Sequence, residues 1–226
     1  MTDRALARLM HGNWKRIEGE DGAQVTQRFA DTLGLSFLRR FKRQEFQLEG
    51  LFAMPLACYP RHLLCEQEVT LFGKPAAAAF LFGEDGVTLL DGTSAPIHDL
   101  NEELSLSLDS AEAALDYARF FCNVVHGEEG RFQLVEAIED LAPYNLGETQ
   151  SLAASLTPSG IEADGGQWRV RGTVRYGRNL FSADFNLQHQ GLIEMVDDQP
   201  LETELVCGPD SFEHFCRGLP ICPEVD

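Results

Sequence analysis

The sequence predicts an α+β protein, antiparallel sheet with one long amphipathic helix (residues 110–126) packed on its apolar face. Three observations carry that expectation. Ala111, Ala114, Leu115, Ala118, Phe121, Cys122 and Val125 recur at the helical period, behind Asp109 as N-cap with Glu112 three residues on and ahead of Gly127 as a stop. Residues 167–189 alternate: Trp168, Val170, Val174, Tyr176, Phe181, Ala183, Phe185 and Leu187 take one face. Arg169, Arg171, Thr173, Arg175, Ser182, Asp184, Asn186 and Gln188 take the other, the half-buried habit of antiparallel sheet. Between residues 46 and 91, short β-like pieces are punctuated by Gly73-Lys74-Pro75 and Gly83-Glu84-Asp85-Gly86, turn chemistry at hairpin spacing.

In chain order, Thr2 as cap and the stripe Ala5, Leu6, Leu9, Met10 predict a helix over 2–11. Polar, glycine-rich 12–22 reads as loop, and Val25, Phe29 and Leu33 before Gly34 predict a helix over 23–33. Phe46–Phe52, Glu68–Phe72, Ala77–Phe82 and Val87–Leu90 read as a meander. Residues 91–108 hold no period and mark a boundary, giving regions 1–95 and 96–226 or one continuous domain. Phe132–Leu141 fits strand and turn, or a second helix. Strands are expected at 151–156 and 192–196, and a short amphipathic turn around Phe212 and Phe215.

The 226 residues carry a net charge of −18, very unevenly spread. Residues 1–61 hold a net +3, and the rest hold −21. Such a field argues against direct nucleic-acid binding, which needs a basic face to release counterions. No run of about 18 apolar residues predicts a membrane span. Arg8 interrupts the apolar residues of the N-terminus, so no leader is read there and a cytoplasmic location is expected. In that reducing setting all six cysteines are expected as thiols. No cofactor motif is recognised.

Four constellations are candidates for chemistry or contact. Cys122 and His126 lie four apart on the predicted helix, spacing that would let an imidazole hold a thiolate. The opposing reading is a buried, inert thiol in an apolar stripe. Cys207, His214, Cys216 and Cys222 offer four N/S groups for zinc, without the close cysteine pair of a zinc knuckle. Cys58, His62 and Cys65 are a weaker set of the same kind. Arg169, Arg171 and Arg175 on one strand face, with Arg178 in the following turn, suit carboxylate or phosphate, or else cross-strand pairing with acids such as Asp184. Arg39, Arg40, Lys42 and Arg43, with Phe37, Leu38 and Phe41, make a basic amphipathic segment suited to an acidic protein surface.

These features favour a non-catalytic interaction or regulatory protein, a subunit of a larger assembly that binds another protein through the two arginine groups. The alternative is a small-molecule binder or enzyme with a polar pocket between the 110–126 helix and the sheet, served by His126, His189, Cys122 or Tyr117. The third reading, an acidic mimic of nucleic acid, suffers from carboxylates that fall mostly in turns and an arginine strand that breaks the field.

Overall fold

The computed structural model describes residues 6–38, 45–145 and 149–223. In chain order these form β1 (Lys15–Arg16), α1 (Gly19–Leu38), β2 (Phe46–Pro55), β3 (Leu63–Leu71), β4 (Lys74–Gly83), β5 (Gly86–Leu90), α2 (Ala95–Glu103) and α3 (Ala111–Val124). There follow β6 (His126–Gly127), β7 (Gly130–Arg131), β8 (Gln133–Val135), two 3-10 turns (Ile138–Tyr144 and Thr149–Ser155), β9 (Gly160–Asp164), β10 (Gln167–Tyr176), β11 (Asn179–Leu187), β12 (Ile193–Glu204), β13 (Asp210–Glu213) and β14 (Cys216–Pro220). Every strand pair is antiparallel, and helices and sheets mix as α+β.

The first sheet runs β1-β2-β3-β4-β14-β13. The outer edge of β4 is shared: β14 takes Ala76–Ala78 and β5 takes Ala79–Gly83. The second sheet runs β12-β11-β10, and the far edge of β10 is shared by β9 and β8. The hairpin β13–β14, far along the chain, thus completes the sheet that the meander begins.

Apolar layers follow from the sheet faces. On one face of the first sheet, Leu51, Ala53, Cys65, Val69, Ala78 and Phe80 bury against Phe29 of α1. On its other face Met54, Leu64, Leu81 and Leu90 meet Ile97 of α2 and Ala114, Ala118 and Phe120 of α3. The same core continues into Val170, Val174, Phe185 and Leu187 of the second sheet. Helices α2 and α3 therefore lie between the two sheets and α1 covers the opposite face of the first, so β3 and β4 are buried on both faces. Double burial blurs alternation in sequence, and the small run Ala76–Ala79 is the result.

Several expectations are corrected. No helix forms over residues 6–11. The predicted 23–33 helix starts earlier, at Gly19, and its helical backbone breaks at Gly34 (φ 74°, ψ 155°), where a stop was expected, before helix resumes to Leu38. The expected 110–126 helix is the 14-residue α3, shorter than α1, so the "one long helix" is one of three α-helices among the described residues. Ser110, not Asp109, caps it, its hydroxyl accepting from the Ala113 amide at 3.2 Å. Val125 is already extended (ψ 136°), because the His126 amide leaves the helix to donate to Gly92 O at 3.0 Å. The supposed boundary at 91–108 contains α2. The expected strand at 151–156 is a 3-10 turn instead.

Cys207 and Cys222 form a disulfide, which corrects the expectation of six thiols. The other four cysteines are free and buried. No helix among the described residues is long and apolar enough to cross a membrane.

Candidate functional site

Where α3 meets the second sheet, the packing leaves a cavity of about 210 Å³. Phe121 and Cys122 line it from the helix, Val125 from the residue after it, and Phe132 from the segment leading to β8. Phe185 of β11 and Ile193 and Met195 of β12 close the far wall. Val125, the last residue of the apolar stripe, stands one position beyond α3 in extended backbone, at the cavity wall.

The cavity opens beside β12, the outermost strand of its sheet, beyond which no strand pairs among the described residues. The register places Met195 opposite Phe185 and Asp198 opposite Ala183, with a bulge at Val196. Opposed residues share a face, and Phe185 and Ala183 are two apart on β11. Met195 and Asp198 therefore stand together on the cavity side, while Glu194 and Asp197 take the other face opposite Asn186 and Asp184. Leu192, Met195 and Val196 are exposed by 50, 43 and 41%, an apolar lip within five residues of chain. Glu194, Asp197 and Asp198 are exposed and make no ion pair among the described residues.

The lip is held at its start by a buried polar chain. Tyr59 donates to Asn101 Oδ1, Asn101 Nδ2 donates to the Tyr117 hydroxyl at 2.9 Å, and that hydroxyl donates to Gly191 O at 2.8 Å. Gly191 has φ +88°, and a Cβ there would lie 2.5 Å from Asn101 Nδ2, so glycine is required. Tyr117, expected at a pocket, is committed to this bond.

The catalytic candidates do not assemble. Cys122 lies in the cavity wall, and burial pushes its thiol up to about 12, which keeps it protonated. No hydrogen bond joins it to His126 among the described residues. His126 instead stacks on Phe212 at 4.2 Å, against Gly92. Burial holds its pKa below the ordinary value, opposed by Asp91. His189 stands 3.7 Å from Asp109, outside the cavity.

The metal candidates are likewise scattered. Cys207 and Cys222 are bonded to each other, and Cys216 is buried in the α1-side core. Cys58 and Cys65 fall on opposite faces of the first sheet, with Cys58 beside Asp116. Among the described residues no three His, Cys, Asp or Glu side chains are grouped to hold a metal ion.

The arginine face is corrected in part. Arg169 and Arg171 do sit on the polar face of β10, but they pair with Asp164, Asp184 and Glu162. Arg178 pairs with Glu204 and donates to Leu205 O. Arg175 is fully buried, so it reaches no partner surface. A bulky side chain at this register turns inward because β8 and the 3-10 turn at Ile138–Tyr144 cover that end of the strand. Arg39, Arg40, Lys42 and Arg43 lie outside the described residues.

The burial of Arg175 belongs to an ionic cluster that sequence reasoning missed. Arg131 donates to Asp210 at 2.7 Å, to Asn123 at 3.0 Å and to the Tyr144 hydroxyl at 3.1 Å. Tyr144 donates to the other Asp210 oxygen at 2.7 Å. The Arg175 guanidinium lies 3.8 Å over the Tyr144 ring and donates to Gln133 and Gly177 O. Arg217 pairs with buried Glu66, whose second oxygen accepts from the Leu9 amide. Burial alone would raise the Asp210 carboxyl, but Arg131, Arg217 and Arg175 outweigh it and hold it at about 2. The cluster fastens segments far apart in sequence and leaves Arg175 Nη2, 3.7 Å from Asp210, without a hydrogen-bond partner among the described residues.

No family model, curated protein or solved structure matches this chain.

Proposed function

We propose that the protein is a non-catalytic interaction subunit, and that its contact surface is the apolar cavity with the exposed lip Leu192, Met195 and Val196. The observation that carries this reading is the cavity of about 210 Å³ beside β12, an edge strand with no described neighbour on its outer side. Its wall is apolar apart from the protonated Cys122, so it offers shape and desolvation rather than acid, base or nucleophile. It is also smaller than the roughly 300–1,000 Å³ usual for small-molecule sites. An apolar cavity of about 150 Å³ takes a benzene ring, so this one suits a single large apolar side chain from a partner. A buried apolar anchor with a polar rim is how protein interfaces concentrate their affinity.

Arg169, Arg171 and Arg178 pair with acids of this chain and Arg175 is buried, so on the β10 face the reading moves from an acidic partner to the opposite charge. Direct nucleic-acid contact stays disfavoured by the net −18. A cytoplasmic location is retained in this proposal; thiol titration of protein taken from cells under alkylating quench reads whether Cys207 and Cys222 are bonded there.

The testing experiment is affinity capture at low and high salt with the wild-type chain, Met195→Asp and Arg171→Glu. Met195→Asp is expected to lose a stoichiometric protein that the other two retain. Loss with Arg171→Glu and retention with Met195→Asp would overturn the placement and return the contact to the β10 face.

A further inference from the structure

The partner's own chemistry is written on β12. Its twelve residues contain Glu194, Asp197, Asp198, Glu202 and Glu204 and no lysine or arginine. A second copy pairing edge to edge would bring Glu194, Asp197 and Asp198 of the two copies together, and like charges directly opposite destabilise a sheet. The same acids protect a bare edge from self-association. They do not repel a cationic strand; they favour it.

Building on the contact surface proposed above, we propose that β12 accepts an extended, basic segment of a partner protein as an added strand. The segment places one large apolar side chain in the cavity and Lys or Arg beside Asp198 and Asp197. Three features of β12 and its surroundings converge on this occupant. The outer edge of β12 presents backbone donors and acceptors that no described strand uses, which is the requirement for strand addition. The cavity lies next to that edge and opens at Met195, so a side chain of the incoming strand that points to the helix side enters it. Asp198 stands on the same face as Met195, and Asp197 on the opposite one, so charge is offered on both sides of an alternating strand. The bulge at Val196 twists the edge at the point where the two faces change over.

The test uses fluorescence anisotropy with labelled peptides of about ten residues, near the upper end of strand length. One panel alternates lysine with a single central Leu, Met, Phe or Val anchor; the matched panel carries glutamate for lysine. Lysine peptides are expected to bind with Kd below about 1 mM, and glutamate peptides at least about tenfold more weakly. The double variant Asp197→Lys with Asp198→Lys is expected to reverse that preference, and Met195→Asp to weaken every peptide. Hydrogen exchange of the 193–200 amides is expected to slow on binding.

Equal binding of the glutamate panel would overturn the basic partner while leaving the contact surface in place. Binding without slowed exchange in β12 would overturn strand addition. If no lysine peptide binds, yet Met195→Asp loses its captured protein, the segment chemistry is wrong and the surface is right. If Met195→Asp loses nothing at all, both readings fail together. Self-association through β12, seen by light scattering and abolished by Met195→Asp, would assign the edge to a second copy and overturn the proposal.

Discussion

Asp210 is the residue on which the interior charge balance turns. It answers Arg131 directly and Arg175 at 3.7 Å, all three side chains being essentially inaccessible. Removing one partner of a buried pair typically costs about 3–5 kcal/mol, because the other charge is left unanswered. Asp210→Asn is therefore expected to lower unfolding stability by that order, measured in urea. The pH dependence has a definite sign. The folded carboxyl sits at about 2, below its unfolded value, so its contribution is present above about 3.8 and is lost as pH falls through about 2. His126 adds a weaker effect of the same sign at higher pH. Its folded pKa is lowered, so the unfolded chain takes up the proton first, and stability falls as pH drops below about 6.5. A pH series of urea midpoints separates the two, and a flat acid limb would contradict the Asp210 assignment. Arg175→Glu is expected to unfold the protein, whereas Arg171→Glu leaves its melting unchanged, since one side chain is inside and the other outside. Both residues occupy the same polar register in the sequence. What divides them is that β8 covers one end of β10 and β9 the other, a long-range arrangement that alternation does not encode.

At the scale of elements, the meander and the β10–β11 pair were the most legible parts. Their turns are local chemistry, and Gly73, Gly83 and Gly86 fall at or beside the turns that join β3, β4 and β5. The ends of α3 were less legible, because their position depends on a bond to Gly92, more than 30 residues earlier. Gly92 has φ +88°, and an added Cβ would overlap the His126 ring. Gly92→Ala is expected to displace His126 from Phe212 and destabilise the protein, with a changed imidazole NMR shift as the local readout. The pocket between helix and sheet was foreseen, but its polar lining was not realised. Phe121 and Cys122 line it from the last turns of α3 and Val125 from one position beyond the helix. The disulfide was missed because the reading of compartment outweighed the spacing. Cys207 and Cys222 are 15 residues apart, and closing a loop of that size constrains the unfolded chain by about 3 kcal/mol. Cys222→Ala, or reduction, is expected to lower stability by about 2–4 kcal/mol. A thermal melt with and without reductant checks it, and no change would mean that the hairpin is held by Asp210 and Arg217 alone.

For the whole molecule, charge was legible and its internal placement was not. A net −18 announces an acidic surface, yet three arginines are among the buried side chains. They join Glu66 to Arg217, 151 residues apart, and Arg131 to Asp210, 79 apart. Contacts of such separation slow folding, because long loops must close before the contacts repay them. Refolding is expected to be slow, and slower still in Asp210→Asn, if the cluster forms before the rate-limiting step; stopped-flow fluorescence of Trp14 and Trp168 reads this. The strand order of the first sheet also sets a timetable for synthesis. Residues 210–220 supply both the last strands of that sheet and the counterion of Arg131, and they leave the ribosome after everything they complete. A nascent chain halted near residue 205 carries Arg131 and Arg175 with no Asp210 to meet them, and a β4 edge only half covered. Until residues 210–220 close on strands made more than a hundred residues earlier, the first sheet and the buried charges of Arg131 and Arg175 stay incomplete.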